Sequence, residues 1–225
     1  TGTTEFIDFA GSEIEFTESG STVTEKQKRS PIRMNITFAR HLIERAEASM
    51  DELLSWSSQH LPEPPFEAGG DAGVMDFHGA YGRYFFELFL YLPWLVAHRF
   101  NQERPYAHAE NWLQYLFNPG RKKIEGGSPD YWNSVPLTSN TPAPGQLSHA
   151  IQGPQDPHQI ALSHPVHFRK ALYMLHIDIL LNRADAAYRR LTPDGLSQAK
   201  LWYVRSAYLL RPRPDICLTD IWNAI

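Results

Sequence analysis

The sequence predicts a mainly α protein: helical hairpins packed as an irregular, solenoid-like bundle, preceded by a short N-terminal β hairpin. Three observations support this. Apolar residues recur at helical spacing from Ile36 to Leu54 and again from Phe168 to Leu180. Between them, Met75 to Pro119 is the densest apolar and aromatic stretch of the chain. Strand-like alternation is confined to the first 25 or so residues.

Phe6, Phe9, Ile14 and Phe16 alternate with polar residues, and Gly11-Ser12 offers a turn between two short runs. The basic run Lys26 to Arg29 reads as a connector. Ser30 as N-cap and Pro31 at the first helical position predict a helix start. From Ile32 on, Ile36, Ala39, Ile43, Ala46, Met50, Leu53 and Leu54 would form its apolar face, with Arg33, Arg40, Glu44, Glu47 and Asp51 opposite. Pro62, Pro64 and Pro65 end it near His60, and 61–74 becomes a linker, first stiff and then flexible.

The next helix is expected from about Ala80 to Asn101, kinked or divided at Pro93. Its apolar side chains occupy nearly every face, the pattern of a helix surrounded by protein. The Tyr84 to Ala97 run is too short for a membrane span, which needs about 20 apolar residues, and it carries Glu87 and Pro93. A second helix, Pro105 to Phe117, turns Ala109, Trp112, Leu113 and Leu116 to one side. Residues 120–154 form a Gly/Pro/Ser-rich loop pinned by aromatics such as Tyr131 and Trp132. Asp156-Pro157 starts a short helix to Ser163, and His164-Pro165 breaks it and opens a longer one. Thr192-Pro193-Asp194 caps the last helix, to about Leu210, with Ala199, Trp202, Tyr203 and Ala207 inward.

Composition excludes several functions. The net charge of -4 gives no basic footprint for nucleic acid. One cysteine, Cys217, excludes an internal disulfide framework. Ten histidines invite a metal test, with His149, His158, His164 and His167 close together, but Pro165 separates the HPVH pair and no HExxH acid accompanies it. Asp156, Ser163 and His164 make a triad only on paper, because no nucleophile elbow precedes them. Gly69-Gly70 and Gly126-Gly127 lack the flanks of a phosphate loop. Glu13, Glu15 and Glu18 read as the polar face of a strand. No catalytic, metal or cofactor site is expected. A metal-dependent hydrolase using His158, His164 and His167 is the enzyme reading against which this stands.

Four blocks, in order, carry a resemblance: IRMNITFARHLIERAEASMDELLSWSSQHLPEPP, then MDFHGAYGRYFFELFLYLPWLVAHRFNQERPYAHAENWLQYLFNP, then YWNSVPL, then DPHQIALSHPVHFRKALYMLHIDILLNRADAAYRRLTPDGLSQAKLWYVRSAYLL. Together they span most of Pro31 to Pro214 and resemble the A subunit (TcA) of bacterial Tc insecticidal toxin complexes, in the late helical shell that precedes the pore-forming domain. The resemblance implies a secreted virulence factor, a homopentamer of A-subunit protomers, a B–C cocoon and a host-cell surface as partners through other domains, and membrane insertion through another domain. It implies that residues 1–30 are the tail of a neighbouring, neuraminidase-like β domain, 31–60 a shell helix, 75–214 the shell segment and 215–225 an exit linker. Relatives carry a receptor-binding domain after the LPEPP block, whereas here only 66–74 fill that junction. The expected role is non-catalytic pore-forming translocation, and the alternative is a free-standing helical scaffold that binds a partner. The Thr1 start and the uncapped end lead us to expect a piece of a longer polypeptide. In a shell that opens with pH, His98, His164, His167 and His176 are the candidate pH-sensing residues.

Overall fold

The computed structural model describes residues 5–8, 14–19, 22–27, 31–37, 39–65, 73–77, 80–123, 127–138 and 155–211. Gly11-Ser12, Gly69-Gly70, His149, Cys217 and the exit linker lie outside them.

The N-terminal part is built of small antiparallel pairs. Strand β1 (Phe6–Ile7) pairs with β4 (Ile32–Arg33), and β2 (Ile14–Ser19) with β3 (Thr22–Gln27). A hairpin therefore exists, but it joins β2 to β3 with Ser19 opposite Thr22, while β1 pairs with β4 instead of β2, and Lys26 belongs to a strand. The Ser30-Pro31 helix start is also corrected. Residues 32–33 are claimed by strand pairing, Asn35 Oδ1 accepts from the Glu5 N–H at 2.9 Å, and helix begins only at α1 (Ala39–Ala48). Ser49 interrupts it and caps α2 (Met50–Leu53) by accepting from the Glu52 N–H. A single 3-10 turn, Ser57–His60, closes the unit at the predicted end. Beyond it, β5 (Pro62–Glu63) pairs with β6 (Gly73–Val74), so the two ends of the linker are held side by side. Glu63 is buried and accepts from the Thr37 N–H at 3.2 Å.

The aromatic stretch is one helical rod in three pieces: α3 (Gly82–Phe86), a π turn over Glu87–Tyr91, and α4 (Leu92–Glu103). Gly82 is required at its start. A Cβ there would lie 2.2 Å from the Phe77 carbonyl oxygen. Arg104, in the left-handed region at φ 78, reverses the chain into α5 (Tyr106–Leu113). In the connection to the next helix, residues 114–123 and 127–138 are held by a bridge between Phe117 and Trp132, whose tilted rings lie 4.8 Å apart, and by a 3-10 turn, Val135–Leu137, that drives Leu137 fully into the core. Trp132 pins this loop as expected. Tyr131 instead stays partly exposed, beside Lys122.

Helix α6 (Pro157–Ser163) starts at its Asp156 cap, and α7 (Val166–Tyr188) follows His164-Pro165, both as predicted. Thr192 caps α8 (Pro193–Leu210). Ala199 faces inward and Trp202 is half-buried, but Tyr203 and Ala207 lie on the exposed side, and Ser206 takes the inward position. The α4–α5 hairpin packs against α7, and α8 runs along α7 as the second hairpin. Leu90, Leu113, Leu116, Leu137, Leu172 and Ile179 are fully enclosed at this junction. The architecture is mainly helical, in packed hairpins. Among the described residues no helix is long and apolar enough to cross a membrane.

Candidate functional site

Two local environments stand out from ordinary packing: the π turn of the aromatic rod, and the seam where α5, α7 and α8 meet.

Proline at 93 has no N–H, so the Phe89 carbonyl loses the main-chain donor that an α-helix would supply four residues on. The Ser134 hydroxyl donates to that carbonyl at 3.0 Å, within a buried site. Next to it, Gln59 brackets the loop. Its side-chain amide donates to the Asn133 carbonyl at 2.7 Å, and its Oε1 accepts from the Val135 N–H at 2.9 Å. Asn133 in turn donates to the Leu54 and Tyr115 carbonyls. The loop is thereby tied to α2, to the rod and to the end of α5 through the side chains of Gln59, Asn133 and Ser134.

On the outer side of the turn, the Tyr91 hydroxyl and His158 Nδ1 share a short hydrogen bond. Asp156 accepts from the His158 N–H at 2.9 Å and lies 3.8 Å from Arg83. Phe86 and Phe168 close around the pair, at 5.6 Å from Phe86 to His158 and 6.1 Å from Tyr91 to Phe168. Burial pushes the Tyr91 hydroxyl up to about 12, the nearby Arg83 only partly offsetting it. Burial, with Arg83, also pushes His158 down from its ordinary value. Both groups are neutral near pH 7. They act as a bolt between α6 and the rod. Beside them Glu87, Tyr91, Leu92, Trp94, Leu95 and His98 line an open, largely apolar groove of about 690 Å³.

At the seam, Glu110 of α5 accepts from Arg183 of α7 at 2.9 Å and lies 3.6 Å from Arg205 of α8. The Arg183 guanidinium sits 4.0 Å over the Trp202 ring. His176 is 2% exposed, edge-on to Phe117 at 5.6 Å, and its Nε2 has no hydrogen-bond partner among the described residues. Burial, and then the positive charge of Arg205, push His176 down to about 4.

The four candidate histidines are not brought together as one cluster. His98 is exposed on α4 and accepts from the Gln102 amide at 3.0 Å. His164 and His167 are exposed at the start of α7, their ring centroids 6.1 Å apart. Only His176 is enclosed. Among the described residues no group of three or more His, Cys, Asp or Glu is placed to hold a metal, and the Nδ1 of His158 is engaged by Tyr91. Asp156, the acid of the paper triad, serves as the helix cap. Ser134, Gln59, Glu110 and Arg205 are absent from the sequence reading, because each meets its partners across long separations that no local pattern records.

A mainly helical unit with these packed hairpins and this block order is the shell architecture of Tc toxin A subunits, and the sequence is homologous to a segment of them. The chain is 39% identical over 198 residues to Toxin subunit YenA2 of Yersinia entomophaga, a match spanning 86% of this chain and 14% of that protein. The fold is also similar to the cryo-EM structure of Morganella morganii TcdA4, with a TM-score of 0.67 and 22% identity over 89% of this chain and 13% of that one. The structure of Yersinia pseudotuberculosis TcaA-TcaB is similar with a TM-score of 0.65 and 30% identity, over 92% of this chain and 11% of that one. The chain thus spans about one seventh of the length of the curated relative it matches. No protein-family model matches it.

Proposed function

We propose that this chain is a non-catalytic structural segment of a Tc-toxin A subunit, part of the helical shell of a secreted, pentameric pore-forming translocator that delivers a toxic component into host cells. The observation that carries this reading is the 39% identity over 198 residues to a toxin subunit, together with a fold match to TcaA-TcaB at 30% identity. The residues themselves fit a load-bearing part. Conspicuous polar side chains such as Ser134, Gln59, Asn133 and Glu110 are engaged in tying helices and loops together.

Within that reading, residues 1–30 are the tail of a neighbouring β domain, 31–60 the first shell element, 75–214 the shell segment and 215–225 the exit to the pore-forming domain. Residues 66–74 are a shortened receptor-binding insertion point. Support for the last comes from β5 and β6, whose pairing holds the ends of the junction adjacent, so that the chain between them can vary in length without moving the rest. Contacts with the B–C cocoon, the host surface and the membrane belong to other domains. His98, His164, His167 and His176 are the proposed pH-sensing groups, and the burial of His176 at a three-helix seam makes it the first to test.

The open groove beside His98 favours a second reading, a free-standing scaffold that binds a partner. Planar-bilayer recording with the full-length protein separates the two. Pentameric particles and pH-dependent channels are expected of the translocator, with an opening pH that shifts when the four histidines are replaced by Gln. A monomer that leaves bilayers silent at every pH overturns it.

A further inference from the structure

Helix α8 meets α7 along one seam, in which Gly195, Ala199, Trp202, Ser206 and Leu209 recur at helical spacing. Gly195, Ala199 and Ser206 are buried but small, and the two large members, Trp202 and Leu209, are only half-buried. The approach is close: a Cβ on Gly195 would lie 2.8 Å from the Ala187 carbonyl oxygen. Such a contact withdraws little apolar surface from water, and burial stabilises in proportion to that area. Leu196, Leu201 and Val204 lie off the seam, exposed. Helix α7, by contrast, buries Phe168, Leu172, Ile179 and Leu180. Among the described residues α8 packs extensively only against α7. The remaining fastenings are polar. The Tyr173 hydroxyl donates to the Leu209 carbonyl at 2.6 Å, Arg183 covers the Trp202 ring, and Arg205 reaches Glu110 of α5. At the other end of the helix the chain reverses through Leu191 at φ 53, a left-handed conformation that a Leu side chain adopts at a cost.

We propose that α8 is a releasable strap: it lifts from α7 as one unit, pivoting at Leu191, while α4, α5 and α7 stay folded. Trp202 and the Arg205–Glu110 contact are its catch. Release leaves no stranded charge, because Glu110 keeps its 2.9 Å partner Arg183 on α7 and Arg205 is already partly in water. It also frees the reversal at Leu191 to relax. The inference stands independently of the toxin assignment.

The test is native-state hydrogen exchange on the chain as it is, at increasing urea below the unfolding transition. Amides 196–208 of α8 should share one opening, with protection at least about tenfold lower than amides 172–184 of α7 and a weaker urea dependence. Ser134→Ala weakens a part that is folded whether the strap is closed or lifted. It should therefore lower the protection of 172–184 and leave 196–208 unchanged. Arg205→Ala should lower the protection of 196–208 about threefold to tenfold, and Trp202→Ala at least about tenfold. Equal protection and equal urea dependence in the two helices overturn the proposal, as does a Ser134→Ala variant that lowers both alike. Unchanged protection of 196–208 in Arg205→Ala and Trp202→Ala overturns the catch.

Discussion

The hydroxyl of Ser134 completes a helix to which it does not belong, donating at 3.0 Å to the carbonyl of Phe89 that Pro93 deprives of its α-helical donor. The proline distorts the rod into a π turn without ending it, and a loop 45 residues away supplies the missing donor.

Replacing Ser134 with Ala leaves that buried carbonyl without its side-chain donor and should cost about 1–3 kcal/mol of unfolding free energy. Pro93→Ala restores a main-chain N–H, so the same Ser134 change made in that background should cost less. Urea titration of the two single variants and the double variant measures the coupling. Equal costs in both backgrounds would show that the two positions are independent.

Gly82→Ala puts a methyl group 2.2 Å from the Phe77 carbonyl oxygen, a backbone atom that cannot swing aside. The start of the rod must shift, at a cost of about 1–3 kcal/mol for overpacking. Gly195→Ala meets the Ala187 carbonyl at 2.8 Å and should cost less. Thermal unfolding of both variants checks the order.

Gln59→Leu keeps much of the side-chain volume but orphans the Asn133 carbonyl and the Val135 N–H. About 1–3 kcal/mol per buried group is expected, together with faster hydrogen exchange at Val135. Unchanged exchange would mean that the loop holds without its bracket.

His176 gives a pH prediction whose sign is fixed by its depressed value. Above about pH 6.5 the group is neutral both folded and unfolded. As pH falls from 6.5 towards about 4 the unfolded chain takes up a proton that the native seam refuses, so stability is lost over that window. The loss approaches roughly 3 kcal/mol. Denaturation of the wild type and of His176→Leu at pH 7 and pH 4.5 should show a smaller acid loss in the variant. Identical losses would place the acid sensitivity elsewhere.

Much of the helical half was legible because its signals are local. Asp156-Pro157 and Thr192-Pro193-Asp194 each put a capping oxygen directly before a proline at the first turn, and both caps form. Ser30-Pro31 carries the same local signal and fails, because Ile32–Arg33 pair with a strand some 25 residues upstream in the chain. His176 was picked from the sequence and proved to be buried, on the same side of α7 as Leu172 and Ile179. His98, His164 and His167 carry the same side chain but lie on exposed faces. Ser134, Gln59 and the Glu110–Arg205 pair were illegible, since each depends on where loops and helices meet rather than on what precedes or follows in the chain.

The central claim is that this chain builds part of the shell of a pentameric toxin subunit. Cryo-EM of the full-length protein tests it most directly. The account predicts fivefold particles in which the two hairpins α4–α5 and α7–α8 lie in an outer helical layer around the pore. A monomeric particle, or one with residues 75–211 detached as an independent domain, would contradict it.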